Sequence, residues 1–309
     1  DINEIKRNSL TCLTVAGIGV IVPLIGGTVC YYFFFEAGAT GFDDILKAVF
    51  VGVVLTATSV SITVEALREM GKLDGKVGNT ILGAAVLDDI IGIVVLTIVS
   101  SFKDSDVSVS GVLIKILLYG ICMAVLALIL SKGKNIIDSN IKKQRASTYI
   151  LAACLLISFA SEHFFGVADI TGAYLLGLFL SSHGIKHEIY RKINVPSYIF
   201  FSPIFFASVG LKVNLEGMTG TIVVFSIVLL VIAILTKIIG CGLGAKICGF
   251  SGKESVQVGV GMVSRGEVAL IVAQKGSEMG LLSLTLMPAV VLVVIATTIF
   301  TPIILKKIM

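Results

Sequence analysis

The stretch GAAVLDDIIGIVV, residues 83–95, is apolar except for two adjacent carboxylates, Asp88 and Asp89. A charge at the centre of a bilayer costs about 2.5–3.5 kcal/mol on insertion scales. Two acids in one turn offset much of what such a helix gains from lipid. They must face protein, an opposite charge or water, and by default they mark an ion or solute path. Everything therefore depends on whether the segment crosses a membrane.

The composition says that it does. The 309-residue chain is 56% hydrophobic and only 14% charged, where soluble domains sit near about 45–50% and about 25%. Mean hydropathy is +1.02. The chain reads as an all-α polytopic membrane protein, neither an enzyme nor a nucleic-acid binder; its net charge of +4 carries no such meaning by itself. The six cysteines form no CxxC pair and read as small buried side chains. The opening DINEIKRNS has no initiating Met and no signal-peptide pattern, so the chain is read as N-terminally incomplete.

A spanning helix needs roughly 20 apolar residues. Ten segments qualify: 10–35, 46–66, 77–101, 108–131, 147–164, 166–183, 196–212, 219–248, 254–276 and 283–305. Numbering the intervening loops alternately puts seventeen Lys and Arg residues on one side and four on the other. By the positive-inside rule both ends of the chain are cytoplasmic. One missed span in the middle would destroy that asymmetry, so it supports the count as well as the orientation.

The deep charges are Asp88 and Asp89 on span three, Lys237 on span eight, and Arg265 and Glu267 on span nine. Spans two and nine have polar centres, Thr56-Ala57-Thr58-Ser59 and Ser264-Arg265-Gly266-Glu267. Both are predicted to break at mid-membrane, about residues 46–66 and 254–276, which is tolerated only inside protein or beside a cavity. Spans one to three and eight to ten then form two triplets of opposite orientation, each with a broken helix in the middle. Many secondary transporters share that layout and place the site where the broken helices cross. Polar clusters in membrane helices also serve packing alone, and for residues 56–59 both readings stand. Gly240 and Gly244 form a GxxxG that predicts close helix packing. Arg265 and Glu267, two residues apart, are poorly placed to pair on a regular helix; each is expected to stabilise the crossing or a helix end. Asp169 reads as interfacial, Glu65 with Arg68 as the cytoplasmic end of span two, and His183 and His187 as loop residues without a metal.

The ATSVSIT and GAAVLDD stretches, with the later SPIFFASVGLKVN (202–214) and SRGEVALIVA (264–273), occur in an order that resembles the second family of monovalent cation:proton antiporters. The paired acids and the lysine of ILTKIIGCG resemble its electrogenic NapA-type and GerN-type branch. The resemblance implies an inverted-repeat NhaA/NapA-like fold. Residues 1–106 and 216–309 would be the two halves of an ion-transport core, and 107–215 linker and dimerisation helices. It implies exchange of sodium or lithium for protons across the plasma membrane by alternating access, without a cofactor, in a homodimer at full length. Asp88 would pair with Lys237, which could carry a coupled proton, and Asp89 would be the main cation ligand. Hydroxyls of Thr56, Thr58 and Ser59 would complete an oxygen-rich site for a small hard cation. Family members normally carry further helices before the segment resembling DINEIKRNS, and these help form the dimer interface.

Competition between ions follows from burial: low dielectric disfavours a charged carboxylate, and a bound cation favours it. The rival readings fare worse. Adjacent acids on one helix point about 100° apart and cannot share a proton as an aspartyl protease dyad does. An ion channel or another sodium-coupled carrier fits the paired acids and Lys237 less well. Potassium/proton antiport by the same fold is the nearest alternative.

Overall fold

The computed structural model describes residues 2–38, 41–103, 109–132, 146–167, 169–180, 191–193, 195–201, 203–204, 207 and 219–309. Regular structure among them is entirely helical. We number the helices α1 (Ile2–Phe35), α2 (Phe42–Thr56), α3 (Val60–Glu69), α4 (Lys76–Ser101), α5 (Val109–Lys132), α6 (Ala146–Phe165), α7 (Asp169–Leu180), α8 (Gly220–Ile247), α9 (Gly252–Gly261), α10 (Glu267–Glu278) and α11 (Met287–Ile308).

Seven of the resulting segments are long and apolar enough to cross a membrane, with α2 and α3 taken as one. The tenfold span count maps onto the rest unevenly. The span at 254–276 divides into α9 and α10, and span six contains the shorter apolar helix at Thr171–Leu180. Most of the segment at 202–214, together with His183 and His187, lies outside the described residues. Helix α1 starts earlier than the apolar run, because the charged residues before Ser9 continue the helix without needing lipid.

The chain divides into two units. One holds residues 1–7 and 108–211. Within it Tyr119 of α5 stacks obliquely on Phe165 of α6 at 5.5 Å, and Ser161 donates to the Tyr119 hydroxyl at 3.3 Å. The Ser161 hydroxyl lies where a side chain on Gly172 of α7 would have to go, so the polar contact and the close approach of α7 require each other.

The other unit holds residues 8–107 and 212–309. It is built as two triplets in the same order: α1, broken α2–α3, α4, and then α8, broken α9–α10, α11. The α2–α3 segment is its most enclosed span, 72% buried over its apolar window, which lets it interrupt its hydrogen bonding without facing lipid. Small residues make that enclosure possible. A β-carbon on Gly27 of α1 would lie 2.7 Å from the Gly52 backbone of α2. On Gly240 and Gly244 it would lie 2.9 and 2.8 Å from the α1 backbone at Ile18 and Val15. The GxxxG thus seats α8 on α1. Gly71 and Gly249 take left-handed conformations, φ +64° and +85°. They end α3 and α8 in paired 6→1 and 5→2 bonds: Lys72 N–H to Leu67 with Gly71 to Arg68, and Phe250 to Ala245 with Gly249 to Lys246.

Candidate functional site: crossed broken helices around a buried ion pair

Helix α2 stops at Thr56 and α3 resumes at Val60; α9 stops at Gly261 and α10 resumes at Glu267. The breaks fall where Thr56, Thr58, Ser59 and Ser264 offer the backbone hydroxyl partners in place of the helix ladder. Each interruption leaves carbonyls at a C-terminal end and N–H groups at an N-terminal end without intrahelical partners.

The two breaks satisfy one another. The Ser59 N–H donates to the Ser264 carbonyl at 2.7 Å, and the Ser264 hydroxyl donates back to the Ser59 carbonyl at 2.9 Å. At the C-terminal end of α9, Thr63 donates to the Gly261 carbonyl at 2.7 Å and Thr58 reaches the Met262 carbonyl at 3.5 Å. At the C-terminal end of α2, Arg265 donates to the Leu55 carbonyl at 2.7 Å. The same guanidinium reaches the Val263 carbonyl at 3.0 Å and, on α8, the Ala233 carbonyl at 3.3 Å. Thr298 of α11 holds the Arg265 carbonyl at 2.9 Å. Each broken helix therefore caps the first half of the other, one with a cation and one with hydroxyls. The cationic cap also matches the negative end of the α2 dipole.

Beside the crossing, Lys237 of α8 holds Asp88 of α4 through both carboxylate oxygens, at 3.0 and 3.2 Å. The two side chains are 0% and 1% exposed. The Thr58 hydroxyl, which reaches the Met262 carbonyl, also lies close to Asp88, which sets the ion pair beside the first break. Asp89, one residue on and about 100° around the helix, is 7% exposed. Lys237 and Arg265 share α8 as a support, since the carbonyl that Arg265 reaches, at Ala233, lies one turn before Lys237. The structure thus brings Asp88, Lys237, Thr58, Ser59 and Arg265 into one buried neighbourhood, with Asp89 next along α4.

Two expected residues behave differently. The Thr56 hydroxyl donates back into its own helix, to Val53 at 2.7 Å. The Ser59 hydroxyl is buried with no hydrogen-bond partner among the described residues. Glu267 occupies the first position of α10, where a negative charge suits the helix dipole. Among the remaining charges, Asp169 opens α7, and Glu65 meets Arg68 at 2.6 Å near the end of α3. Sequence reasoning assigned no part to Thr63, which bridges the two broken helices.

This arrangement can hold a cation among carboxylate, hydroxyl and carbonyl oxygens while keeping a fixed positive charge nearby. Comparison with known proteins agrees with that chemistry. The chain is 40% identical to the Na(+)/H(+)-K(+) antiporter GerN of Bacillus cereus, over 99% of the chain and 77% of that relative. It is 34% identical to a Na(+)/H(+) antiporter of Enterococcus hirae, over 99% of the chain and 79% of the relative. It is 28% identical to the K(+)/H(+) antiporter subunit KhtU of Bacillus subtilis, over 92% of the chain and 71% of the relative. The family model described as sodium/hydrogen exchanger, transmembrane, matches residues 1–309, and the chain belongs to that family.

Proposed function

We propose that this multi-pass membrane protein exchanges sodium, or lithium, for protons across the plasma membrane by alternating access. The observation that carries the proposal is the buried Asp88–Lys237 pair set beside Asp89 at two crossed, broken helices. Asp89 is the residue that takes either the cation or a proton. Thr58, Ser59 and carbonyls freed at the breaks supply further oxygens, and Thr56 can reach the site only by giving up its bond to Val53. A carbonyl-lined break is suited to a hard cation because it needs no further charge to coordinate one.

Asp88 and Lys237 form the second part of the cycle. When Asp89 and Asp88 are both charged, the Lys237 ammonium balances one of them, and a bound monovalent cation balances the other. Opening the pair releases a second proton-binding group, so the exchange moves net charge. Arg265 and Glu267 hold the crossing together without binding the transported ion. Both ends of the chain face the cytoplasm, and the full-length protein is a homodimer.

Potassium is the second reading, favoured by the name of the 40%-identical relative, which includes that ion. Uptake of labelled sodium, lithium and potassium by proteoliposomes under an outward proton gradient decides among them. Sodium uptake that persists in Asp89→Asn protein would refute the assignment of Asp89.

A further inference from the structure

Arg265 makes its contacts at the crossing through the two outer nitrogens of its guanidinium: Nη1 donates to the Val263 carbonyl, and Nη2 to the Leu55 and Ala233 carbonyls. The third nitrogen is different. Its Nε–H is buried with no hydrogen-bond partner among the described residues. The residue is 1% exposed, and a buried donor on a charged group is costly to leave unpaired. The guanidinium fork is planar and rigid. Nε–H therefore projects alongside one of the two hydrogens of Nη2, and whatever it meets lies next to the Leu55 or the Ala233 carbonyl.

A small cavity adjoins the guanidinium on the Leu55 side. Arg265 lines it together with Val54 and Leu55 at the end of α2, Leu229 of α8, Ala269 of α10 and Val293 of α11. It has room for one water-sized sphere, about 10 Å³, which is about the least that holds a water. All ten residues around it are at most 4% exposed, and every side chain except that of Arg265 is apolar. Such a void stays dry unless polar groups converge on it. The backbone supplies them. Helix α2 ends at Thr56, so the carbonyls of its last turn have no intrahelical donors. The Thr56 hydroxyl serves Val53 and Arg265 serves Leu55. A carbonyl oxygen carries two lone pairs, so Leu55 can accept again, and Val54 is its neighbour on the same wall.

We infer that this cavity is the binding site of a single buried water, which accepts from Arg265 Nε–H and donates to the carbonyls of Leu55 and Val54. Size and polarity both select water over an anion. A chloride ion is larger than a water, and it brings no hydrogens for the carbonyl oxygens. With the water in place all three guanidinium nitrogens donate, and the cationic cap on α2 extends from Leu55 to Val54.

The first test is a structure of the full-length protein at a resolution that shows ordered waters. A peak is expected about 2.7–3.2 Å from Nε and from the Leu55 or Val54 carbonyl oxygen. No peak there, where other buried waters are visible, overturns the inference, as does a protein side chain seated on Nε. Crystals grown in bromide separate the two ligand classes: an anomalous peak in the cavity makes the ligand an anion and overturns the water. The second test is thermal unfolding of Val293→Ile, which adds one methyl group to the wall. Filling a dry void stabilises, whereas excluding the water strands Nε. A fall in melting temperature of about 2–6 °C is expected, with the peak at Nε lost from the structure of the variant. An unchanged or raised melting temperature overturns the inference.

Discussion

Replacing Lys237 by methionine keeps most of the side-chain volume and removes the charge that faces Asp88. At 3.0 Å and an effective dielectric of 20, the pair attracts by about 5.5 kcal/mol. Withdrawing two ions from water costs a similar amount, so the net worth of the intact pair is small. Breaking it is another matter, because a buried carboxylate is left without its partner; that costs about 3–5 kcal/mol. Lys237→Met should therefore lower the melting temperature of the purified protein by about 10 °C. Asp88→Asn/Lys237→Met, with neither charge, should recover most of that loss. The assay is suited to this chain, which has no Trp but has buried thiols at Cys12, Cys30 and Cys241; a thiol-reactive fluorophore reads their exposure as the protein unfolds. If the double variant falls as far as the sum of the two single variants, the two side chains are not energetically coupled and the pair has no part in the cycle.

Other perturbations separate the parts of the site. Arg265→Lys loses the planar fork that reaches Leu55, Val263 and Ala233; it should cost about 2–3 kcal/mol in thermal unfolding, and wild-type stability would show that the carbonyls need no cap. Gly52→Ala drives a methyl group into the Leu24 carbonyl and Thr28; it should destabilise by about 1–3 kcal/mol, measured in the same assay. Glu254→Ala removes the reciprocal cap with Ser251 at the start of α9. It should cost about 1 kcal/mol and leave the sodium KM unchanged, because it touches neither the crossing nor the aspartates.

Much of the site was legible because charge in an apolar segment is conspicuous. Asp88, Asp89, Lys237 and Arg265 each had to be compensated, and the breaks at residues 57–59 and 262–266 fell at the polar centres. What compensates them was only partly legible. Asp88 and Lys237 could be paired through the resemblance. The partners of Arg265 are carbonyls, which every residue has, so no side-chain pattern marks Leu55 or Ala233. Thr63 was hidden for a different reason. Thr14, Thr28, Thr97 and Thr301 all donate to the carbonyl four residues earlier in their own helices, and Thr63 is indistinguishable from them in sequence. Only the approach of α9 turns the Thr63 hydroxyl towards Gly261 instead. Thr56 shows the converse: it sits in the polar centre, yet its hydroxyl closes onto its own helix.

In the proposed cycle Asp89 binds sodium and protons in competition. The direct test is sodium-evoked proton movement in proteoliposomes of the full-length protein, with potassium in parallel and Asp89→Asn as the control. Sodium-dependent proton movement is expected in wild type and is expected to be lost in the variant. Equal proton movement in wild type and Asp89→Asn, or none with either ion in folded wild-type protein, would contradict it.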